Sequence, residues 1–237
     1  EFANLFWDRV DACGGTLEGI EAYDPDQNDF NDEIKKLVGL HQIRARKEEY
    51  KFHEEQAKIE LNREEVKESQ VKLPPQVDFE VLFVPDVAKT IGQIAPTLAY
   101  HDVENVMLLG TQGWHSPKLL ERGREHVEGA VFVDGFYADS GRDETQDFVK
   151  RFKETFGESP DIWEAQAYDA AGLLLSLLNA EDVKNREDVR DKLSAMSEFS
   201  GASGVATFGE NHDVDKNLFL LTVHKGRIRL YDAASSP

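Results

Sequence analysis

The sequence predicts an α/β protein built on a parallel βαβ lobe, and three observations carry that prediction. Val81–Val84 is a short apolar run of β-forming residues that stops at Pro85-Asp86. A helical spacing follows through Ile91, Ile94, Ala95 and Leu98. A second apolar run, Val106–Leu109, then stops at Gly110-Thr111-Gln112-Gly113-Trp114. Run, loop, amphipathic helix, run and loop is how a parallel βαβ unit reads. Ligands of open parallel sheets bind beyond the carboxyl ends of the strands. The loops Pro85–Lys89 and Gly110–Pro117 are therefore the first candidates for a site.

Composition narrows the setting. A chain of 237 residues, 40% hydrophobic, holds one large domain or two small ones with a sizeable core. Its 27 Lys+Arg stand against 46 Asp+Glu, a formal charge of −19. That balance, unbroken by any basic cluster, argues against nucleic acid or an anionic membrane surface as partner. Cys13 is the single cysteine, so no intramolecular disulfide forms. No apolar run approaches the ~20 residues that span a bilayer. The chain starts without Met or a signal-like apolar region, inside a helical pattern of Phe2, Leu5, Phe6 and Val10. It is expected to be a fragment whose upstream part, including any export signal, lies outside it.

In chain order, helix Phe2–Ala12 stops at Gly14-Gly15. Thr16–Tyr23 then reads as a strand. Asp24–Asp29 has oxygen side chains at alternate positions, as in a calcium loop. Asp29 stands where that loop needs glycine and Lys35 where it needs glutamate, so the stretch reads as a turn with Asn28 or Asp29 capping helix Phe30–Leu40. Residues His41–Lys72 carry eight Lys+Arg and eight Glu, without Gly or Pro. This is a charged, solvent-facing helical excursion of one or two helices, ended by Pro74-Pro75. It reads either as a docking arm for a partner or as a tolerated surface insertion.

Beyond the central unit, Pro117–Arg122 is a short helix and Gly129–Phe136 a third buried strand. Tyr137–Arg142 is a polar crossing. Helix Glu144–Phe156 carries Phe148, Phe152 and Phe156 at i, i+4 spacing and stops at Gly157. Trp163–Leu178 is apolar around most of its circumference, which predicts burial. Helix Asn185–Met196, a Gly/Ser-rich stretch ending in a strand near Phe208, a turn at Glu210–Asp213 and two strands around Lys225-Gly226 complete the chain.

Four ordered stretches resemble the type I periplasmic-binding-protein fold of the branched-chain amino-acid receptors. They are FANLFWDRVDACGGTLEGIEAYDPDQNDFNDEIKKL, FEVLFVPDVAKTIGQIAPTLAYHDVENVMLLGTQGWHSP, EGAVFVDGFYADSGRDETQDFVKRFKETFGESPDIWEAQAYDAAGLLLSLL and GASGVATFGENHDVDKNLFLLTVHKGRIRL. The wording IKKLVGL, LFVPD, IAPTLAYHDV and LLGTQGWHSP, with a charged insertion after the first helix pair, is similar to bacterial penicillin-binding protein activator-like lipoproteins. The resemblance implies a parallel βαβ lobe, a partial second lobe and a charged helical insertion. Residues 1–136 would form lobe II, with the insertion at 41–75. Residues 143–198 would belong to lobe I, and 205–237 would return to the terminal strands of lobe II, with hinge crossings near 138–143 and 205–213.

The resemblance also implies an interlobe cleft as the place of any small ligand. Its contacts would come from Pro85, Asp86, Lys89, Thr111, Gln112 and Trp114. Amino-acid receptors of this family place an acid for the ligand ammonium where this chain has Gln112. Losing that charge-assisted hydrogen bond costs about 1.5–3 kcal/mol. Asp86 could supply the charge instead, and Trp114 reads either as a pocket wall or as a core aromatic.

Asp86, His115 and Ser116 are residue types of nucleophilic chemistry, but Gly113-Trp114-His115-Ser116-Pro117 is not a nucleophile elbow. The histidines show no HExxH-like spacing. The chain is read as a non-enzymatic protein with no cofactor, metal or catalytic residue. The resemblance, with Gln112 in place of the receptor's acid, favours a regulator of cell-wall synthesis acting by protein contact; the alternative is the solute-binding protein of an amino-acid ABC importer. The partners implied are a small ligand and a cell-wall synthase or transporter permease. The location implied is the periplasm or the outer membrane, reached only through an upstream lipid anchor.

Overall fold

A computed structural model describes residues 2–67, 70–209 and 213–232. The expected turn at Glu210–Asp213 falls largely outside them. The chain forms two compact units, residues 1–132 with 222–229 and residues 133–221 with 230–237.

Unit 1 is organised by β1 (Val81–Val84), β2 (Met107–Gly110) and β3 (Val131–Asp134), the last running on across the unit boundary. β1 pairs in parallel with β2 from Val81↔Met107 to Val84↔Gly110, and β2 pairs in parallel with β3. With β7 (Phe219–His224) and β8 (Arg227–Leu230) the order is β1-β2-β3-β7-β8. The βαβ reading of the sequence is therefore realised.

Helix α4 (Ala88–Tyr100) joins β1 to β2, and its apolar stripe of Ile91, Ile94, Ala95 and Leu98 is buried. It packs on α5 (Pro117–Gly123) and α2 (Asn31–Leu37). Helix α1 (Phe2–Ala12) buries none of its side chains fully, though Phe6 stacks on Phe83 at 4.3 Å. The strand expected over Thr16–Tyr23 does not form: residues 15–24 carry no ladder. β1 is the edge strand of its sheet, and cavities separate it from this segment, so no backbone lies within hydrogen-bonding reach.

The charged excursion becomes a 3₁₀ turn, Ile43–Arg46, leading into α3 (Lys47–Leu61). Asn62 ends α3 in the left-handed region. Arg46 is buried here and fastens both ends of the excursion, donating to the carbonyls of Gly39 (3.3 Å) and Pro74 (2.8 Å) and pairing with Glu49.

Unit 2 packs Phe136, Phe148, Val149, Ala165 and Ala202 into a core. Its helices are α6 (Asp143–Phe156), α7 (Ile162–Leu178) and α8 (Arg186–Ala195). Asp161 and Glu164 form a capping box at the start of α7, and Asn185 caps α8. The Gly/Ser-rich stretch is a hairpin, β4 (Glu198–Gly201) and β5 (Gly204–Phe208), with β6 (Val214–Lys216) paired antiparallel to β5.

The burial expected of α7 is corrected. Only Ala165 and Leu177 are buried, while Trp163, Leu174, Leu175 and Leu178 are exposed. One strip of the helix packs within unit 2, and no other described element of that unit covers the remainder.

Candidate functional site

The carboxyl ends of β1 and β2 lie side by side because Val84 pairs with Gly110. The loops that leave them therefore meet. At Gly113 an added Cβ would stand 2.7 Å from the carbonyl oxygen of Asp86 and 3.3 Å from the Cα of Val87. Glycine permits that approach, which brings Asp86 and the Gln112 turn together. Gly110 serves the same end, since a Cβ there would collide with the Trp114 indole.

Asp86 is half-buried and held at both oxygens. Oδ2 accepts from the Tyr23 hydroxyl at 2.9 Å, and Oδ1 accepts from the Val87 N–H at 2.6 Å at the entry to α4. Burial, then the hydrogen bond and negative charge of Asp86, push the Tyr23 hydroxyl well above the usual tyrosine range. Tyr23 remains the neutral donor, and it leans edge-on against buried Phe30 at 5.1 Å. Sequence reasoning missed Tyr23. This residue ends the stretch Thr16–Tyr23, which reads as a strand before Asp24-Pro25, but nothing local pairs it with Asp86, 63 positions away.

The other expected contacts divide. Pro85, Lys89 and Gln112 are exposed, Lys89 in the first turn of α4 and Gln112 at the start of a 3₁₀ turn, Gln112–Trp114. Thr111 is half-buried immediately before that turn. Trp114 is a core aromatic, 0% exposed and 6.2 Å from Phe132, and its indole N–H meets no acceptor among the described residues. His115 also lies near Phe132, at 6.0 Å between ring centroids. Ser116 caps α5 by accepting from the Lys118 N–H. Unit 1 thus presents an oriented carboxylate, an amide and an ammonium at its strand ends, a set suited to holding a polar ligand.

Unit 2 carries a separate polar cluster. Asp169 of α7 accepts from the backbone N–H groups of Ala202 (2.6 Å) and Ser203 (2.8 Å) and from the Ser203 hydroxyl, to which Lys216 donates in turn. Thr145 of α6 donates to the Ala202 carbonyl at 2.7 Å. Burial holds Lys216 below the usual lysine range, against the pull of Asp169 and Asp134. Ser203 is itself buried, so the cluster clamps the β4–β5 turn onto α6 and α7.

Residues 74–227 match the family model described as periplasmic binding protein. Among solved structures, one described as a branched-chain amino acid ABC transporter from Rhodospirillum rubrum superposes with a TM-score of 0.72 at 20% identity. It covers 97% of this chain and 56% of its own. A leucine-binding protein from Thermotoga maritima gives 0.67 at 19% identity, covering 97% and 55%. A solute-binding protein of R. palustris in complex with benzoate gives 0.62 at 16%, covering 95% and 52%. At such identities the likeness is one of fold, and this chain spans about half the length of the solved structures it matches. No curated protein matches it.

Proposed function

Because this chain belongs to the periplasmic binding protein family and has its type I fold, we propose that it is a non-enzymatic, extracytoplasmic ligand-binding protein, the solute receptor of an ABC importer. Its ligand is a small molecule bearing a cationic group, of the amino-acid type. The observation that carries this reading is Asp86, a carboxylate at the carboxyl end of β1 that the Tyr23 hydroxyl and the Val87 N–H hold in one orientation. It supplies the negative charge that Gln112 does not. Thr111, Gln112 and Lys89 complete the contacts, Lys89 meeting the ligand carboxylate, and Pro85 and Trp114 shape the surface behind them.

Calorimetry with leucine, isoleucine, valine and their des-amino acids tests the proposal. Saturable heat is expected with the amino acids alone. Asp86→Ala should weaken binding by roughly 10- to 150-fold, the equivalent of about 1.5–3 kcal/mol for a hydrogen bond to a charged group. Saturable binding of the des-amino acids, or none with any amino acid, refutes it.

A second reading rests on a different observation. The excursion is fastened at both ends by Arg46, yet α3 leaves Phe52 60% and Ile59 74% exposed, seven residues apart on one face. A regulator of the activator type would dock a cell-wall synthase there. Replacing Phe52 and Ile59 together by serine should abolish co-purification with the synthase while moving the thermal midpoint by no more than about 2 °C. Undiminished co-purification removes the excursion from any such role.

A further inference from the structure

Helix α3 carries a pattern that complements itself. Ala57, its buried residue, lies on the opposite side of the helix from Phe52, Gln56 and Ile59, so these three point away from unit 1. Phe52 and Ile59 stand one heptad apart, the separation that keeps two side chains in line against a second helix. The mount is firm, because Arg46 ties the entry of α3 to the carbonyls of Gly39 and Pro74 and pairs with Glu49. The excursion belongs to the connection that enters β1 at its amino end. Asp86 and Gln112 follow the carboxyl ends of β1 and β2, so this face is separate from the candidate site.

The charges of the excursion divide at its middle. Arg44–Lys51 carries four Lys+Arg against two Glu, a net +2. Glu54–Glu65 carries two Lys+Arg against five Glu, a net −3. A second copy of a chain with formal charge −19 meets repulsion over most of its surface, and a contact between copies needs a place where opposite charges can be laid together. An antiparallel pair of α3 helices, related by a two-fold axis between Glu55 and Gln56, meets that need. It lays each basic half along the acidic half of the other copy and sets Phe52 against Ile59 twice. The two helix dipoles then oppose as well. A parallel pair would instead bring like halves together. Residue i meeting j while j meets i is what a two-fold interface requires, and a foreign partner requires no such symmetry.

We propose that this face of α3 is a homodimer contact, in which two copies of the chain pair their α3 helices antiparallel. One pair of 15-residue helices buries less than the roughly 1,200 Å² of stable complexes, so the dimer is weak and reversible. The proposal is independent of the receptor reading, and a synthase docking at the same face would compete with it.

Sedimentation equilibrium of the purified chain from about 10 µM to 1 mM tests it. Salt of about 0.15 M screens the charges of distant surfaces and leaves those in contact. The average mass should rise from monomer towards dimer. Phe52→Ser with Ile59→Ser should weaken association at least roughly tenfold. Lys47→Glu with Lys51→Glu makes both halves acidic and should do the same. Adding Glu60→Lys and Glu64→Lys exchanges the two halves and should restore association, with acids at the amino end of the helix and bases at its carboxyl end, where they favour it. Orientation is read by oxidation in a Cys13→Ser background. Gln56→Cys, beside the axis, should form a disulfide-linked dimer. Glu48→Cys, about 22 Å from its counterpart at 1.5 Å per residue, should not. A monomer across the whole range overturns the proposal and leaves the face to a different protein. So does association that the serine pair leaves unchanged, that the fourfold charge variant fails to restore, or that cross-links equally at positions 48 and 56.

Discussion

Helix α4 of unit 1 and helix α7 of unit 2 are both rich in apolar residues, and they meet opposite fates. Over 13 residues α4 buries six, against α2 and α5. Over 17 residues α7 buries two. The difference lies in what surrounds them. α4 is amphipathic, and the βαβ unit that makes it also makes the strands it covers. α7 is apolar around most of its circumference, and unit 2 offers it α6, α8 and one hairpin turn. An apolar helix states a need for cover, and its sequence does not say that the cover lies in the same chain.

The sharpest test of this contrast uses two tryptophans. Trp114 is 0% exposed and Trp163 67% exposed. Trp114→Ala removes a core aromatic and should cost about 3–5 kcal/mol. Trp163→Ala, at the first turn of α7, should stay within about 0.5 kcal/mol. Hydrogen exchange at the amides of β2 and of α7 reads the two units separately, since one unfolding midpoint need not describe both. A large cost at Trp163 would mean that α7 is covered, and the contrast would break.

The same contrast explains what was legible in the sequence. The βαβ unit was readable because its signals are local: four-residue apolar runs, a helical stripe and stops at Pro85 and Gly110. The stop of α6 at Gly157 is local as well. The errors are non-local. Thr16–Tyr23 has strand composition, but a strand exists only beside another backbone, and composition cannot supply one. At the site, Asp86 and Gln112 could be named from their loops. Tyr23 could not, because its bond to Asp86 spans 63 positions. The Asp169–Ser203 clamp was hidden for the same reason, spanning 34.

A smaller effect probes whether the site's carboxylate depends on that long-range bond. In Tyr23→Phe, Asp86 keeps the Val87 N–H and loses its hydroxyl donor, at a cost of about 0.5–1.5 kcal/mol near neutral pH. The pH dependence gives the sign. Burial and Asp86 favour the neutral phenol, so its folded pKa lies above the ordinary tyrosine value of about 10. The folded state then holds its proton more tightly than the unfolded state does. The stability that follows is fully present below about pH 10 and is lost as pH rises through the folded value. Wild type should therefore weaken above pH 10 more steeply than Tyr23→Phe, and urea titrations across pH 8–11 would show the two curves converging. Tyr137, raised by burial and by Asp139, contributes equally to both and cancels in the difference. Parallel curves would mean that Tyr23 is not the donor that orients Asp86.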